Sequence, residues 1–344
     1  MKRSYIIAGF AVSLLLLGWV LRGVGWHEVR LAFAQVKLEW VGLIALLSAA
    51  VIGLRAWRWT YLLKPVHPLS LGLCIRATGI GFLGNMLLPV RAGEVVRAVV
   101  AGEGGHVPVS SVFATIVMER LVDALSFLPL MILALGWFVP SLTGPALKAS
   151  LQIGAGLFGL VTVVCGLVLW GLARSPERAL AFLRRAFTFL PTPWVDKMVG
   201  WGEAFVGGLR GVPTGRDLPP FIALTLAIWG IFLATNLCLF KAFDMTLPPS
   251  AVITLQVLIV LGVVLPSAPG FVGTFHAAAM GGLLLYGLPR AQALSAAFAL
   301  HATIFTTIVF VGLGCLLAES VVIGRRLRLK ALARAEVSPG PEAN

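Results

Sequence analysis

Leu88-Pro-Val-Arg-Ala-Gly93 interrupts an otherwise apolar stretch, residues 70–102, and Leu265-Pro-Ser-Ala-Pro-Gly270 interrupts a second, residues 249–287. Proline removes a helical N–H and glycine frees the backbone, so each interruption ends one helix and begins another. Both breaks read Leu-Pro-x-x-x-Gly, and 266 − 89 = 177 residues separate their prolines. Each apolar stretch has a Pro/Ser entry, Pro68-Leu-Ser70 or Pro248-Pro-Ser250, and each is followed by a long apolar run holding an ionisable residue, Glu119 or His301. This shared context predicts an internal repeat, of the faint kind common in polytopic membrane proteins.

Working outward, the rest of the chain reads as membrane. The 344 residues are 59% hydrophobic and 12% charged, where soluble domains carry about 25% charged residues. Apolar runs long enough to cross a hydrocarbon core follow one another at about 4–21, 39–63, 110–138, 148–172, 219–243 and 291–323. Alternating ten-residue strands, the mark of an outer-membrane barrel, are not evident. The predicted fold class is therefore all-α: a polytopic membrane helix bundle, one domain over residues 1–324, in which 70–102 and 249–287 are broken, re-entrant hairpins related as an inverted repeat. Lys2-Arg3 precedes the first run, and no small-residue cleavage site follows closely, so it reads as a retained span. Cys74, Cys165, Cys238 and Cys315 lie far apart inside apolar runs and match neither a disulfide framework nor a zinc spacing.

Charge orients the bundle. With the N-terminus inside and both broken regions returning to their starting side, 20 Lys/Arg fall inside and six outside, with Arg120 within a span. That asymmetry obeys the positive-inside rule and places both termini in the cytoplasm of a cell inner membrane. The second broken region could equally be two full spans without changing any side. The net charge of +13 then belongs to cytoplasmic loops and anionic lipid rather than to nucleic acid. Residues 174–217 form a cytoplasmic loop with two amphipathic faces, Leu180/Leu183/Phe187/Leu190 and Trp194/Met198/Trp201/Phe205. These predict interfacial helices or helices capping the bundle. Residues 325–344 read as a basic, then disordered, cytoplasmic tail.

Ionisable residues concentrate between Asn85 and Asp123. A charge at the bilayer centre costs roughly 2.5–3.5 kcal/mol on insertion scales, so Glu119, Arg120 and Asp123 must turn away from lipid. Thr115, Glu119 and Asp123 share one helical face. Arg91, Glu94 and Arg97, spaced i, i+3, i+6, line the short helix after the first break, whose free N–H groups and arginines suit a phosphate. The second break offers another helix start near Gly270 and Gly273, with His276 one turn on. The candidate binding residues are thus Asn85, Arg91, Glu94, Arg97, Glu119, Arg120, Asp123, Gly270, Gly273 and His276. The alternative is a structural ion pair joining Arg91 or Arg97 to Glu119 or Asp123. No catalytic or metal-binding motif is expected. Gly79-Ile-Gly-Phe-Leu-Gly84 matches GxGxxG but follows no strand, and its small residues suit close helix packing instead. Ser267 and His301 could be imagined as a hydrolase dyad, but nothing in the sequence brings them together.

The ordered set Arg55-Ala-Trp-Arg-Trp-Thr-Tyr-Leu-Leu63, Asn85-Met-Leu-Leu-Pro-Val-Arg-Ala-Gly-Glu94 with Arg97, Ala114-Thr-Ile-Val-Met-Glu-Arg-Leu-Val-Asp123, and Leu265-Pro-Ser-Ala-Pro-Gly270 with Gly273 resembles the flippase-like membrane domain of lysylphosphatidylglycerol synthases, the multiple peptide resistance factors, and their stand-alone relatives. The likeness spans about residues 4–323. It implies transbilayer movement of a membrane lipid, an aminoacylated phospholipid in the two-domain proteins, while related stand-alone members are associated with polyprenyl-linked glycans or hopanoids; the substrate expected here is a phospholipid or polyprenyl-linked lipid, and no cofactor is expected. Without the soluble aminoacyl-transferase domain, lipid synthesis is not expected of this chain. Phe271 is bulky where the family often has small residues. Two further readings are a non-transporting membrane partner of a lipid- or glycan-synthesising enzyme and an intramembrane lipid-modifying enzyme.

Overall fold

A computed structural model describes residues 13–22, 26–138, 145–175, 192–209, 213–265 and 267–337, together with residues 177, 180, 181 and 185. Residues 4–12 of the first expected span, Leu183, Phe187 and Leu190 of the first amphipathic face of the cytoplasmic loop, Pro266 and residues 338–344 lie outside these. Among the described residues the chain is all helix, without strands. The elements are α1 (Trp26–Ala34), α2 (Leu38–Leu63), α3 (Leu71–Leu87), α4 (Gly93–Gly105), α5 (Val109–Phe138), α6 (Pro145–Arg174), α7 (Thr192–Gly208), α8 (Leu218–Ala242), α9 (Pro249–Val264), α10 (Thr274–Leu284) and α11 (Arg290–Val337). Four helical stretches among the described residues are long and apolar enough to cross a membrane: Leu38–Leu63, Gln152–Leu172, Gly215–Ala242 and Arg290–Gly324. The protein is an all-α, multi-pass membrane bundle. Exposed Leu157, Leu160, Val164 and Leu167 on α6 are where lipid tails belong, since nothing in the bundle covers them.

Local chemistry sets the helix ends. Ser70 Oγ accepts from the N–H of Leu73 and caps α3. Proline occupies the first turns of α8 and α9, where a missing N–H costs nothing. At the breaks, α3 stops at Leu87, a 3₁₀ turn runs Pro89–Arg91, and α4 starts at Gly93. The second break likewise places a 3₁₀ turn at Pro269–Phe271 before α10.

The order of elements recurs. Helices α2, α3, α4 and α5 begin at 38, 71, 93 and 109, and α8, α9, α10 and α11 at 218, 249, 274 and 290, so the offsets are 180, 178, 181 and 181. The register differs from the one expected on Pro266. Pro89 corresponds to Pro269, Arg91 to Phe271 and Gly93 to Gly273, each 180 residues apart. The reason is conformational: Arg91 and Phe271 are both non-glycine residues at positive φ, 53° and 60°. Packing is exchanged between the halves, with α3 on α11, α9 on α5, and α2 crossing α8 at the centre.

Close helix approach explains the glycine-rich stretch on α3. A Cβ on Gly79 would lie 2.5 Å from Cys315 Sγ of α11, and one on Gly84 would lie 2.8 Å from Gly93 Cα of α4. The GxGxxG match is thus a packing face on two sides of α3. α7 lies against α5, with Ser111 Oγ donating to the Ala204 carbonyl at 2.8 Å. Trp194 and Trp201 on α7 stay exposed, so this helix caps the bundle and also keeps an aromatic outer face. α11 continues well past the expected span end at 323, to Val337. His27 lies in α1.

Candidate functional site

The charged residues of α5 are paired by two other helices, α2 and α4. Glu119, fully buried, lies 2.9 Å from Arg97 Nη1 of α4, 2.8 Å from Arg120 Nη2, and 3.3 Å from both Arg55 Nη1 and Arg58 Nη2 of α2. Asp123, one turn on, lies 2.6 Å from Arg58 Nη2, 2.8 Å from Arg55 Nη1 and 3.4 Å from Arg120 Nη1. Arg120 Nε reaches Glu94 at 3.6 Å. Trp59 Nε1 donates to Thr115 Oγ1 at 2.9 Å, and the Arg97 guanidinium sits 3.8 Å over the Trp59 ring. Three carboxylates are thus shared among four arginines, one positive charge in excess, because buried charges without partners are costly.

Arg91 is different. Its Nη2 donates to the carbonyl of Val263 at the end of α9, and its guanidinium lies 5.4 Å from the Phe271 ring centroid. No carboxylate stands within ion-pair distance of it among the described residues. Counting Arg91, five arginines face Glu94, Glu119 and Asp123, so the cluster keeps two net positive charges.

A cavity of about 450 Å³ opens beside this cluster. Arg55, Arg91, Arg120 and Asp123 form its charged end, Phe127, Trp229, Phe275 and Phe305 its apolar part, and Thr235, Asn236, Gln256 and His301 an uncharged polar wall. An adjoining space of about 230 Å³ shares Arg55, Arg91 and Arg120 and adds Asn85. Such a volume is typical of small-ligand sites. Another cavity of about 430 Å³ lies near α1 and the start of α11, but its carboxylates, Glu28 and Asp244, are exposed and it shares none of this chemistry.

The structure thus gathers Asn85, Arg91, Glu94, Arg97, Glu119, Arg120 and Asp123 around one cluster, but not in one role. Arg97, 2% exposed, is sealed between Glu119 and Trp59, so the ion-pair alternative describes it, while Arg91 faces open space. Gly270, Gly273 and His276 do not line the cavity. A Cβ at Gly273 would meet the Ser13 carbonyl at 2.3 Å, its N–H points to His276 Nδ1 at 3.3 Å, and the His276 ring stacks on Phe298. Those three residues build the second break. His301 does reach the cavity, and its Nε2 bonds the Gly270 carbonyl at 2.8 Å. No hydrogen bond joins it to Ser267 among the described residues.

Sequence reasoning missed Arg55 and Arg58 by counting them with the cytoplasmic charges. The signal was present: two arginines at i, i+3 inside an apolar run share a face and require buried partners. Asn236 and Gln256 were also missed, since neutral amides carry little positional signal.

The fold and site define a class: a multi-pass helical membrane protein with a charged, partly apolar cavity between two broken helix pairs. The chain belongs to the family described as the lysylphosphatidylglycerol synthase TM region, which matches residues 6–312. It is also similar to a curated protein of Haloferax volcanii named glycosyltransferase AglD, 27% identical over 349 aligned positions covering 93% of this chain. The chain spans 55% of that relative's length. No solved structure is significantly similar to it.

Proposed function

We propose that this protein is a lipid translocator of the cytoplasmic membrane, a flippase rather than an enzyme, moving an anionic or lipid-linked headgroup past the midplane while the chains stay in the bilayer. Both termini are cytoplasmic, and the two broken helix pairs enter from opposite faces as an inverted repeat. One observation carries the reading: Arg91, the guanidinium without a carboxylate, faces a cavity that is charged at one end and aromatic elsewhere. A headgroup cannot cross hydrocarbon unaided, because an unpaired charge there is costly. Fixed guanidinium donors replace its water, and Arg91 supplies two parallel N–H groups to a phosphate.

The test is translocation of a tail-labelled phosphatidylglycerol in vesicles holding the purified chain, read by an impermeant quencher. The wild type accelerates exchange. Arg91→Ala slows it by about 10- to 100-fold, the loss of a charge-assisted hydrogen bond, and Arg91→Lys restores part of it. Exchange no faster than in empty vesicles, or full exchange with Arg91→Met, refutes the reading.

A second reading, a membrane partner of a lipid- or glycan-synthesising enzyme, draws on the similarity to a protein named a glycosyltransferase. Under it, the paired core from Arg55 to Asp123 is scaffold alone. Exchange no faster than in empty vesicles favours it.

A further inference from the structure

The wall of the cavity opposite Arg91 says which headgroup fits. Asn236 and Gln256 are 1% and 6% exposed, yet each is only half satisfied. Asn236 Nδ2 donates to Gln256 Oε1 at 3.1 Å and to the Val252 carbonyl at 3.2 Å. Among the described residues no other hydrogen bond reaches Asn236 Oδ1 or Gln256 Nε2, and both residues line the cavity. A polar atom that faces a cavity bonds there to water or to a ligand. Nearby, the His301 Nε2 hydrogen goes to the Gly270 carbonyl at 2.8 Å, so Nδ1 presents a lone pair. Thr235 Oγ1 donates to the Ile231 carbonyl at 2.9 Å and keeps its own lone pairs. The wall therefore offers one donor and several acceptors, all uncharged.

The same cavity offers no free carboxylate to a cation. Asp123 is the one carboxylate among its described lining residues, and three guanidinium groups within 3.4 Å already claim it. A positively charged headgroup would enter a space that already holds an excess of positive charge and would find no counter-ion. At low dielectric that is strongly unfavourable. A hydroxyl both donates and accepts, so it fits Gln256 Nε2, Asn236 Oδ1 and His301 Nδ1 together.

We infer that the cavity selects a lipid phosphate bearing an uncharged, hydroxyl-rich headgroup and rejects an aminoacylated, cationic one. The inference rests on the translocator reading for its biological sense. Phosphate meets Arg91, hydroxyls meet the Asn236–Gln256 wall, and the acyl or prenyl chain leaves past the aromatic part. Two lipid sources share this chemistry, a glycerol phospholipid and a polyprenyl-phosphate sugar.

The experiment measures binding of three lipids to the purified chain in detergent by native mass spectrometry: phosphatidylglycerol, lysyl-phosphatidylglycerol with the same acyl chains, and a polyprenyl-phosphate hexose. One or both of the uncharged-headgroup lipids binds roughly tenfold or more tightly than the lysyl lipid, given the cost of an unpaired charge. Which of the two is stronger names the source. Gln256→Glu, which adds a carboxylate to the wall, narrows that gap by about tenfold. Lysyl lipid binding as tightly as the others, or binding of none, overturns the inference. Translocation is measured on the same preparation. Selective binding without movement refutes the translocator and leaves the selectivity standing, while movement without selectivity does the reverse.

Discussion

Arg91 and Phe271 occupy the same position of the two breaks, third in a turn that opens with proline, and they lie face to face with the guanidinium carbon 5.4 Å from the ring centroid. Both hold positive φ, at 53° and 60°. For such residues this backbone costs on the order of 1–3 kcal/mol each and persists only where the surroundings enforce it. Here Gly93 and Gly273 follow two residues later and let the next helix start close to its neighbour. The contact ties the break of one half to the break of the other, on the wall of the cavity. Phe271, bulky where small residues are common in the family, thus acts as the platform for Arg91.

The first prediction follows from that contact. A cation over an aromatic face contributes about 0.5–2 kcal/mol, more when desolvated. Phe271→Leu should therefore slow lipid exchange modestly, and in a double-mutant cycle with Arg91→Met the two effects should couple by about 1 kcal/mol. Additive effects on exchange would mean that the ring does not position the guanidinium.

The carboxylate–arginine core makes a different prediction, about stability. Arg58 is fully buried and lies 2.6 Å from Asp123. Removing one partner of a buried pair strands the other, at about 3–5 kcal/mol. Arg58→Met should lower the thermal midpoint sharply and reduce folded protein in detergent. Arg97→Met should do the same by removing the α4 partner of Glu119 and the cation over Trp59, whereas Arg91→Met should not, because no carboxylate among the described residues pairs with it. Equal losses for all three would place Arg91 in the structural core and remove the basis for its separate role.

The bundle and the charged cluster were legible for one reason: polar groups in hydrocarbon must be paired, and composition exposes those that need pairing. Glu119, Arg120 and Asp123 stood out inside an apolar run, and the run 39–63 already held Arg55 and Arg58. What was not legible was the division of labour. Arg91 and Arg97 sit on one short segment with identical chemistry, and only the positive φ at Arg91 turns it from the Glu119 pocket toward the cavity. The repeat register failed similarly. Leu-Pro-x-x-x-Gly matches at Pro266, but the turn forms at Pro269, because the backbone follows the φ pattern rather than the spelling. His276 looked available one turn after Gly273, and Phe298 covers it.

Helix approach at the first break yields a third prediction. A Cβ on Gly93 would lie 1.9 Å from the Gly81 carbonyl oxygen and 2.5 Å from the Asn85 nitrogen, both backbone atoms. Neither can move without parting α3 from α4. Gly93→Ala should abolish or strongly reduce folded protein. Gly281→Ala is the control: it lies inside α10 with nothing within 4 Å of the added carbon. There the change removes a helix-interior glycine and should stabilise by roughly 0.5–1 kcal/mol. If the two alanine variants melt alike, the tight α3–α4 contact is not present in the membrane.

The last prediction concerns which way the bundle faces. Lys/Arg numbers 20 on one proposed side and six on the other. Moving the buried Arg55 and Arg58 out of the first group leaves 18 against six, so the asymmetry survives the correction. Positive charge resists translocation during insertion, which puts α7 and the 174–217 loop in the cytoplasm and α1 outside. Trp194 on α7 and Glu28 on α1 are both exposed and serve as reporters. Cys165 is the native cysteine exposed among the described residues, so Cys165→Ser comes first. In intact cells, an impermeant maleimide should then label Glu28→Cys and leave Trp194→Cys unmodified until the membrane is opened. The opposite pattern inverts the protein and reverses which break opens to which side. Labelling of both sites would mean that an even number of crossings separates α1 from α7, where the proposal has three, and the six-span topology with two oppositely inserted hairpins would be abandoned.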